Sequence, residues 1–485
     1  MPLLLAPGSV LYGQEHPHGP PGQHPGTGHA AGPMAPGPLG IPRTRESSGT
    51  AWLPDFSPMY AMHAMAGPWQ LMLHGRVFAQ YIDEGSDRGA VQPGSVNWIM
   101  GMARRPLVGG ELLLRAMLSL EPLTVGECGY PDLLATGEFC DDRGRLHDRQ
   151  HPHDFSMELA AGYERALTRD LGLQLYGGLA GEPALGPVSY PHRISALANL
   201  FAPITHHWQD ATHISFGVLT AGLFGRRWKL EGSLFNGREP DEERFGLDLA
   251  ALDSYSGRVW YLPGDRWALQ ASIGRLNEAE AHGPEERRLD VTRATASVTY
   301  HAPIGPDGYW ASTAVWGRND ADGDPASTNS FLLETTVDLR ERYVFFGRGE
   351  VVEKTGEDLV LRNPALEHEV FTVGKLTLGY MHQFGPRWGL LPGLGVSISM
   401  SFVGDELEPF YGTTVPVGFA LFGSLGPAAA RLHGDHHRTV PPAHRPEGHP
   451  PHGPAAPAAG PAGACAGGGT HFAVGGGSCV RRSGR

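Results

Sequence analysis

Between Trp69 and Leu425 the apolar stretches of the chain are about nine to fourteen residues long, and they alternate with a period of two rather than 3.6. In WALQASIGRL, Trp267, Leu269, Ala271 and Ile273 share one side, and Gln270, Ser272 and Gly274 share the other. FLLETTVDLR sets Phe331, Leu333, Thr335, Val337 and Leu339 against Glu334, Thr336, Asp338 and Arg340. LGVSISMSF sets Leu394, Val396, Ile398, Met400 and Phe402 against Gly395, Ser397, Ser399 and Ser401. Sixteen such segments begin near residues 69, 95, 110, 154, 170, 212, 227, 254, 265, 291, 308, 329, 342, 371, 388 and 415.

The connectors alternate as well. Seven are short and rich in turn residues, such as the Pro-Gly-Asp ending at Asp265 and the Gly-Pro-Arg ending at Arg387. Eight are longer and polar, at roughly 83–94, 122–153, 182–211, 238–253, 276–290, 319–328, 355–370 and 403–414. An even strand number, two classes of connector and both ends on the short-turn side predict an all-β fold: a transmembrane antiparallel up-and-down β-barrel in the outer membrane of a Gram-negative bacterium, with periplasmic termini. Trp69, Trp228, Trp267, Trp310, Tyr343 and Trp388 flank short turns, where rings would meet the membrane interface. A β-sandwich or propeller would use shorter strands and would have no reason to alternate its turn lengths. Arg115, Glu158, Glu334, Arg348 and Glu350 fall on the second face, which makes them the expected pore-lining charges of a water-filled lumen.

Composition changes this picture mainly at the ends. The 485 residues include 68 Gly, 42 Pro and 24 His, and eleven of the His lie in two segments without apolar periodicity, 14–50 and 427–485. Both read as disordered tails flanking a barrel at 51–426, and residues 1–13 read as a truncated signal peptide. No apolar run reaches the length of a transmembrane helix, which a barrel does not need. The net charge of −13 argues against nucleic acid, so the expected partners are membrane lipid, small solutes or metal ions, and a further copy of the chain. Cys128 and Cys140 lie close enough to close a loop disulfide in an oxidising compartment, and their spacing offers no zinc-ribbon pair.

The densest polar chemistry lies in the second and third long loops. HDRQHPHDF carries His147, Asp148, His151, His153 and Asp154, and the next loop carries Tyr190, His192, His206, His207, Asp210 and His213. An HxH pair on an extended segment turns both imidazoles to one face, and nearby carboxylates either ligate or orient them. The candidate metal ligands are therefore His147, His151, His153, Asp154, His192, His206, His207, Asp210 and His213. No cofactor is required by this pattern, and the ion it would suit is copper or another divalent transition metal. The same side chains would also serve to hydrogen-bond loops folded into a constriction. Asp210 with His213, or Asp148 with His151, keeps a rim hydrolase as an alternative, although no GxSxG, HExxH or GxxxxGK is present.

At DRQHPHDFSMELA, HHWQDATHISFGVLTAGLF and WKLEGSLFNGREPDE the sequence resembles a family of uncharacterised bacterial outer-membrane proteins. These often accompany copper and other heavy-metal resistance systems. The resemblance runs from Ser47 to about Leu425 and implies export, a barrel and a metal-linked role. Together the residues and the resemblance predict a porin-like channel, not an enzyme, with loops two and three folded inward. A non-conducting metal-sequestering surface protein is the remaining alternative.

Overall fold

The structure is a computed structural model and describes residues 35–126, 128–136, 152–241, 243–282, 287–323 and 326–429. Its strands are β1 (Met62–Ala66), β2 (Trp69–Gly85), β3 (Val91–Gly94), β4 (Asn97–Leu107), β5 (Gly110–Leu118), β6 (Ser156–Ala166), β7 (Gly172–Gly181), β8 (Ser215–Phe224) and β9 (Trp228–Phe235). They continue with β10 (Ser254–Gly264), β11 (Trp267–His282), β12 (Arg287–Pro303), β13 (Tyr309–Ala321), β14 (Thr328–Leu339), β15 (Tyr343–Thr355), β16 (Val370–Gln383), β17 (Leu390–Phe402) and β18 (Val417–Pro427). Sixteen of them, β2 and β4 to β18, form one antiparallel ladder that closes where β18 pairs with β2, Val417 opposite Gly85 and Leu425 opposite Val77. The short β3 prolongs the β4 side of the ladder along the far end of β2, and β1 folds back on the near end. The starts of these sixteen agree with the sequence period to within a few residues, and β1 and β3 are additional.

The alternation resolves into an outside and an inside. Ile273, Leu333, Phe331, Leu394 and Ile398 are exposed on the outer wall, while Ser272, Glu334, Ser397 and Ser399 are buried within. In a membrane the outer set meets lipid, which accounts for the exposed apolar side chains that a soluble protein would bury. At the short-turn end Trp267 and Tyr300 pack at 4.5 Å between ring centroids, and Tyr300 and Trp310 at 5.3 Å. These rings, with exposed Trp228, Tyr343 and Trp388, form the expected interfacial girdle.

Two expectations about connectors change. The connectors at 276–290 and 319–328 are not long loops, because β11 runs to His282, β12 starts at Arg287, β13 runs to Ala321 and β14 starts at Thr328. The ladder shifts register between Leu276 and Glu280 and then resumes. On the outer side there, Arg275 holds Asp290 at 3.1 Å and Asp322 at 2.5 Å. The strands therefore outrun the apolar band, and their outer face turns polar where the wall leaves the membrane.

The lumen is not the open water-filled space that the polar face suggested. Loop three, residues 182–214, is buried over nearly its whole length. The described part of loop two packs beside it through Tyr130, Leu133 and Leu134, against inward-facing Phe78, Phe346, Val352 and Phe422. Residues 43–50, the end of the segment whose Pro and Gly content reads as a disordered tail, pack inside as well: Arg43, Arg45, Ser48 and Thr50 are all buried, whereas Ala35, Pro36 and Gly40 are exposed. Residues 1–34 and 430–485, which include the expected signal peptide, most of the expected N-terminal tail and nearly all of the C-terminal one, lie outside the described residues. Cys128 is disulfide-bonded. Cys140 lies outside the described residues.

Candidate functional site: the filled lumen

Loop three is attached to the wall by buried ion pairs. Arg193 donates from Nε to Glu334 Oε1 of β14 at 2.7 Å and from Nη1 to Asp210 Oδ2 at 2.7 Å. Glu334 is shared with Arg348 of β15 at 3.1 Å, and Arg348 also donates to the Phe201 carbonyl at 2.8 Å. Two guanidinium groups and two carboxylates thus neutralise one another with almost no solvent contact. Burial alone would raise the Asp210 carboxyl, but Arg193 and His206 outweigh it and hold the group well below the usual carboxylate range. Gly186 sits at φ +88° where the loop passes the Gln209 carbonyl so closely that a Cβ would collide with it. Loop two has its own anchors: Lys375 holds Asp132 at 2.5 Å and Glu84 at 3.0 Å, and Lys354 donates to the Leu134 carbonyl at 2.6 Å.

The N-terminal segment closes the short-turn side. Arg43 pairs with Glu46 and Glu111, Arg45 holds Asp55 with Nε at 2.7 Å and Nη2 at 2.9 Å, and Arg104 pairs with Glu46. Arg115 and Lys229 donate to the backbone carbonyls of Gly49 and Thr50. Arg258 of β10 joins all three parts: Nε to Glu231 of the wall at 2.9 Å, Nη1 to the Gly186 carbonyl at 3.1 Å and Nη2 to Thr50 Oγ1 at 3.1 Å.

The structure also places the five charges expected to line the pore. Arg115, Glu158, Glu334, Arg348 and Glu350 do face inward, yet all five are buried against other groups instead of lining open water. Arg115 Nε stands 3.2 Å from Glu158, and Glu350 accepts from the Thr205 hydroxyl at 3.2 Å. Arg115, Glu334, Arg348 and Glu350 are docking points of the filling, and Glu158 pairs with Arg115 and Tyr176 of the wall.

Of the candidate metal ligands, His153, His206 and His213 come together around Tyr190. Ring centroids lie 4.9 Å apart for His206 and His213, and 5.3 Å for His153 and His213. The Tyr190 hydroxyl is 3.1 Å from His153 Nε2, His153 Nδ1 is 2.8 Å from Glu121 Oε2, and His206 Nδ1 is 2.8 Å from Asp210 Oδ1. His206 and His207 begin a short helix, His206–Gln209, so their rings diverge at 90°. Asp154 turns towards Arg244, 3.8 Å away, and His192 stands apart beside Trp98. His147 and His151 lie outside the described residues, as does Asp148. Among the described residues, no three His, Cys, Asp or Glu side chains converge as metal ligands.

Several residues that sequence reading passed over are central here: Arg193, Lys229, Arg258, residues 43–57, and an inward patch of Met72, His74, Met100, Met102 and Met117. Parity was the available signal for that patch, since these side chains fall on the lumen face of β2, β4 and β5.

Glu182 gives the filling a pH dependence. Burial raises its carboxyl to about 7 against the lowering pull of Arg258, 3.6 Å away. Between the ordinary glutamate value and about 7 the folded chain holds more protons at this site than the unfolded chain, so docking weakens as pH rises across that window. Amide exchange in residues 43–57 and 182–190 should accelerate from pH 5.5 to pH 8 after correction for intrinsic rates. Glu182→Gln should abolish the difference, and an unchanged difference in that variant would locate it elsewhere.

The closed ladder and its lipid-facing exterior define an outer-membrane β-barrel of Gram-negative type. No family model matches the chain, and no curated protein matches it in sequence. Solved structures of similar form include OprB of Pseudomonas putida, at 9% identity and a TM-score of 0.46, covering 74% of this chain and 94% of that one. OmpF of Salmonella typhi in complex with daunomycin is similar at 9% identity and a TM-score of 0.45, over 75% of this chain and 100% of that one. An anion-selective porin from Comamonas acidovorans is similar at 10% identity and a TM-score of 0.42, over 74% and 99%. The barrel assignment stands on the strand register itself.

Proposed function

We propose that the protein is a porin-like channel of narrow, gated bore, with copper or another transition metal as its cargo. The observation that carries the channel reading is that the barrel closes without its filling. Loop three and residues 35–61 add no strand to the sixteen-stranded wall and are held by side-chain contacts. A wall of this strand number leaves an aqueous bore when it is empty. Opening therefore requires only that the filling undock. The imidazoles of His153, His206 and His213 around Tyr190, together with the family resemblance of the sequence, support the metal-linked part.

The filled lumen itself favours a second reading, a non-conducting barrel that sequesters metal. Planar-bilayer recording of the refolded protein separates the two. Discrete conductance steps, infrequent in the closed form and changed by Cu(II), are expected for the channel; a membrane that stays silent with and without Cu(II) contradicts it. The rim hydrolase loses one of its candidate pairs, because Asp210 and His213 are inside the barrel and Asp210 is only 2% exposed.

A further inference from the structure

The strand register places His74 of β2 opposite Met100 of β4, Met100 opposite Met117 of β5, and Met117 opposite Glu158 of β6. One row of inward side chains across four neighbouring strands thus begins imidazole, thioether, thioether. The adjacent row adds Met72 and Met102. His192 of loop three covers both rows. Its Nε2 lies 3.4 Å from Met117 Sδ, while His74 Nε2 lies 2.8 Å from Met100 Sδ. The two imidazole centroids are 5.6 Å apart, and the Trp98 ring stands 5.2 Å from His74 and 4.9 Å from His192. A cavity of about 100 Å³ opens beside them, lined by Met72, His74, Trp98, Met102 and His192.

We propose that His74, Met100, Met117 and His192 form a binding site for a soft monovalent cation, Cu(I) or its analogue Ag(I). The proposal deepens the metal-linked reading above and rests on it. Three arguments support it. Thioether and imidazole together are a soft donor set, which selects Cu(I) over hard cations such as Mg(II) or Ca(II). The four donors are neutral, which suits a single positive charge, and the nearest carboxylate in the row, Glu158, is already matched by Arg115 at 3.2 Å. Finally, two ligands at ordinary metal–nitrogen and metal–sulfur lengths around a tetrahedral ion stand roughly 3.5 Å apart. His192 and Met117 already have that separation, and His74 and Met100 reach it by opening several tenths of an ångström. Purely structural packing would be served as well by Leu or Ile, without setting a ring nitrogen against each sulfur. The indole of Trp98 adds a π-face beside the ion.

The test uses the full-length protein with ¹³C-methyl methionine, titrated with Ag(I) and observed by NMR, a readout blind to His-rich segments elsewhere. Met100→Leu and Met117→Leu assign the signals and conserve volume, so folding should survive. The Met100 and Met117 methyl signals should shift with Ag(I) while those of Met381 and Met400 stay, and Mg(II) should move none of them. In a His74→Leu/His192→Leu variant the Ag(I) concentration needed should rise at least about tenfold. Signals of Met100 and Met117 that Ag(I) leaves unmoved, or an equal response in the double histidine variant, would overturn the site. Conductance without these shifts removes the site and keeps the channel; shifts in a silent barrel keep the site and remove the channel.

Discussion

Arg193→Met is expected to release loop three from the wall while leaving the barrel folded. The wild-type side chain neutralises Asp210 and Glu334 at once, both at 2.7 Å and both buried. After the substitution Glu334 keeps Arg348 and Asp210 keeps His206, but the network carries one uncompensated negative charge. Leaving a buried charge without its partner costs about 3–5 kcal/mol. That corresponds to roughly two to four decades in the ratio of docked to undocked loop. The wall, a closed ladder that loop three does not join, has no cause to unfold, so the loop leaves instead. Amide exchange over residues 182–214 should rise steeply with heat-modifiable gel migration unchanged. A loop that stays protected would show that the Arg193 ion pairs are dispensable and that the contacts of Arg348, Arg258 and Glu350, with the apolar packing of Leu200, Phe201 and Ile204, suffice to hold it.

Arg258→Met should loosen both parts of the filling together. Its three nitrogens reach the wall, loop three and the N-terminal segment, and no other side chain described above bridges all of them. Glu231 retains Lys229 at 3.5 Å and the Trp260 indole N–H at 3.0 Å, so the remaining charge is partly answered. The expected loss is about 3 kcal/mol. Protease access to residues 43–57 and to loop three should increase in parallel. Arg258→Lys, which keeps the charge but lacks the planar fork, should fall between wild type and Met. If only one segment becomes accessible, the two dock independently and the bridging role is wrong.

How far the sequence reached follows from what each signal depends on. A strand needs only its own alternation, so LGVSISMSF and WALQASIGRL revealed their faces directly. The pattern failed where the wall leaves lipid: Arg275, Asp290 and Asp322 are outward but polar, and β11 to β14 therefore read as loops near their ends. Residues 43–50 read as part of a tail because Pro and Gly content resembles disorder, while the ordering force is external to the segment: Arg104, Arg115, Lys229 and Arg258 of the wall hold it in place. The grouping of His153, His206 and His213 depends on two loops folding into one space, which no local spacing reveals. By contrast Met72, His74, Met100, Met102 and Met117 were legible by parity alone, as sulfur and imidazole side chains on the face that should have been polar.

The channel reading is tested most directly by recording wild type and Arg193→Met side by side in planar bilayers, with folding verified by heat-modifiable migration. Wild type should give small or infrequent steps and the variant larger, longer openings, because the bore is present and only its filling is released. Two folded proteins that both remain silent would contradict it.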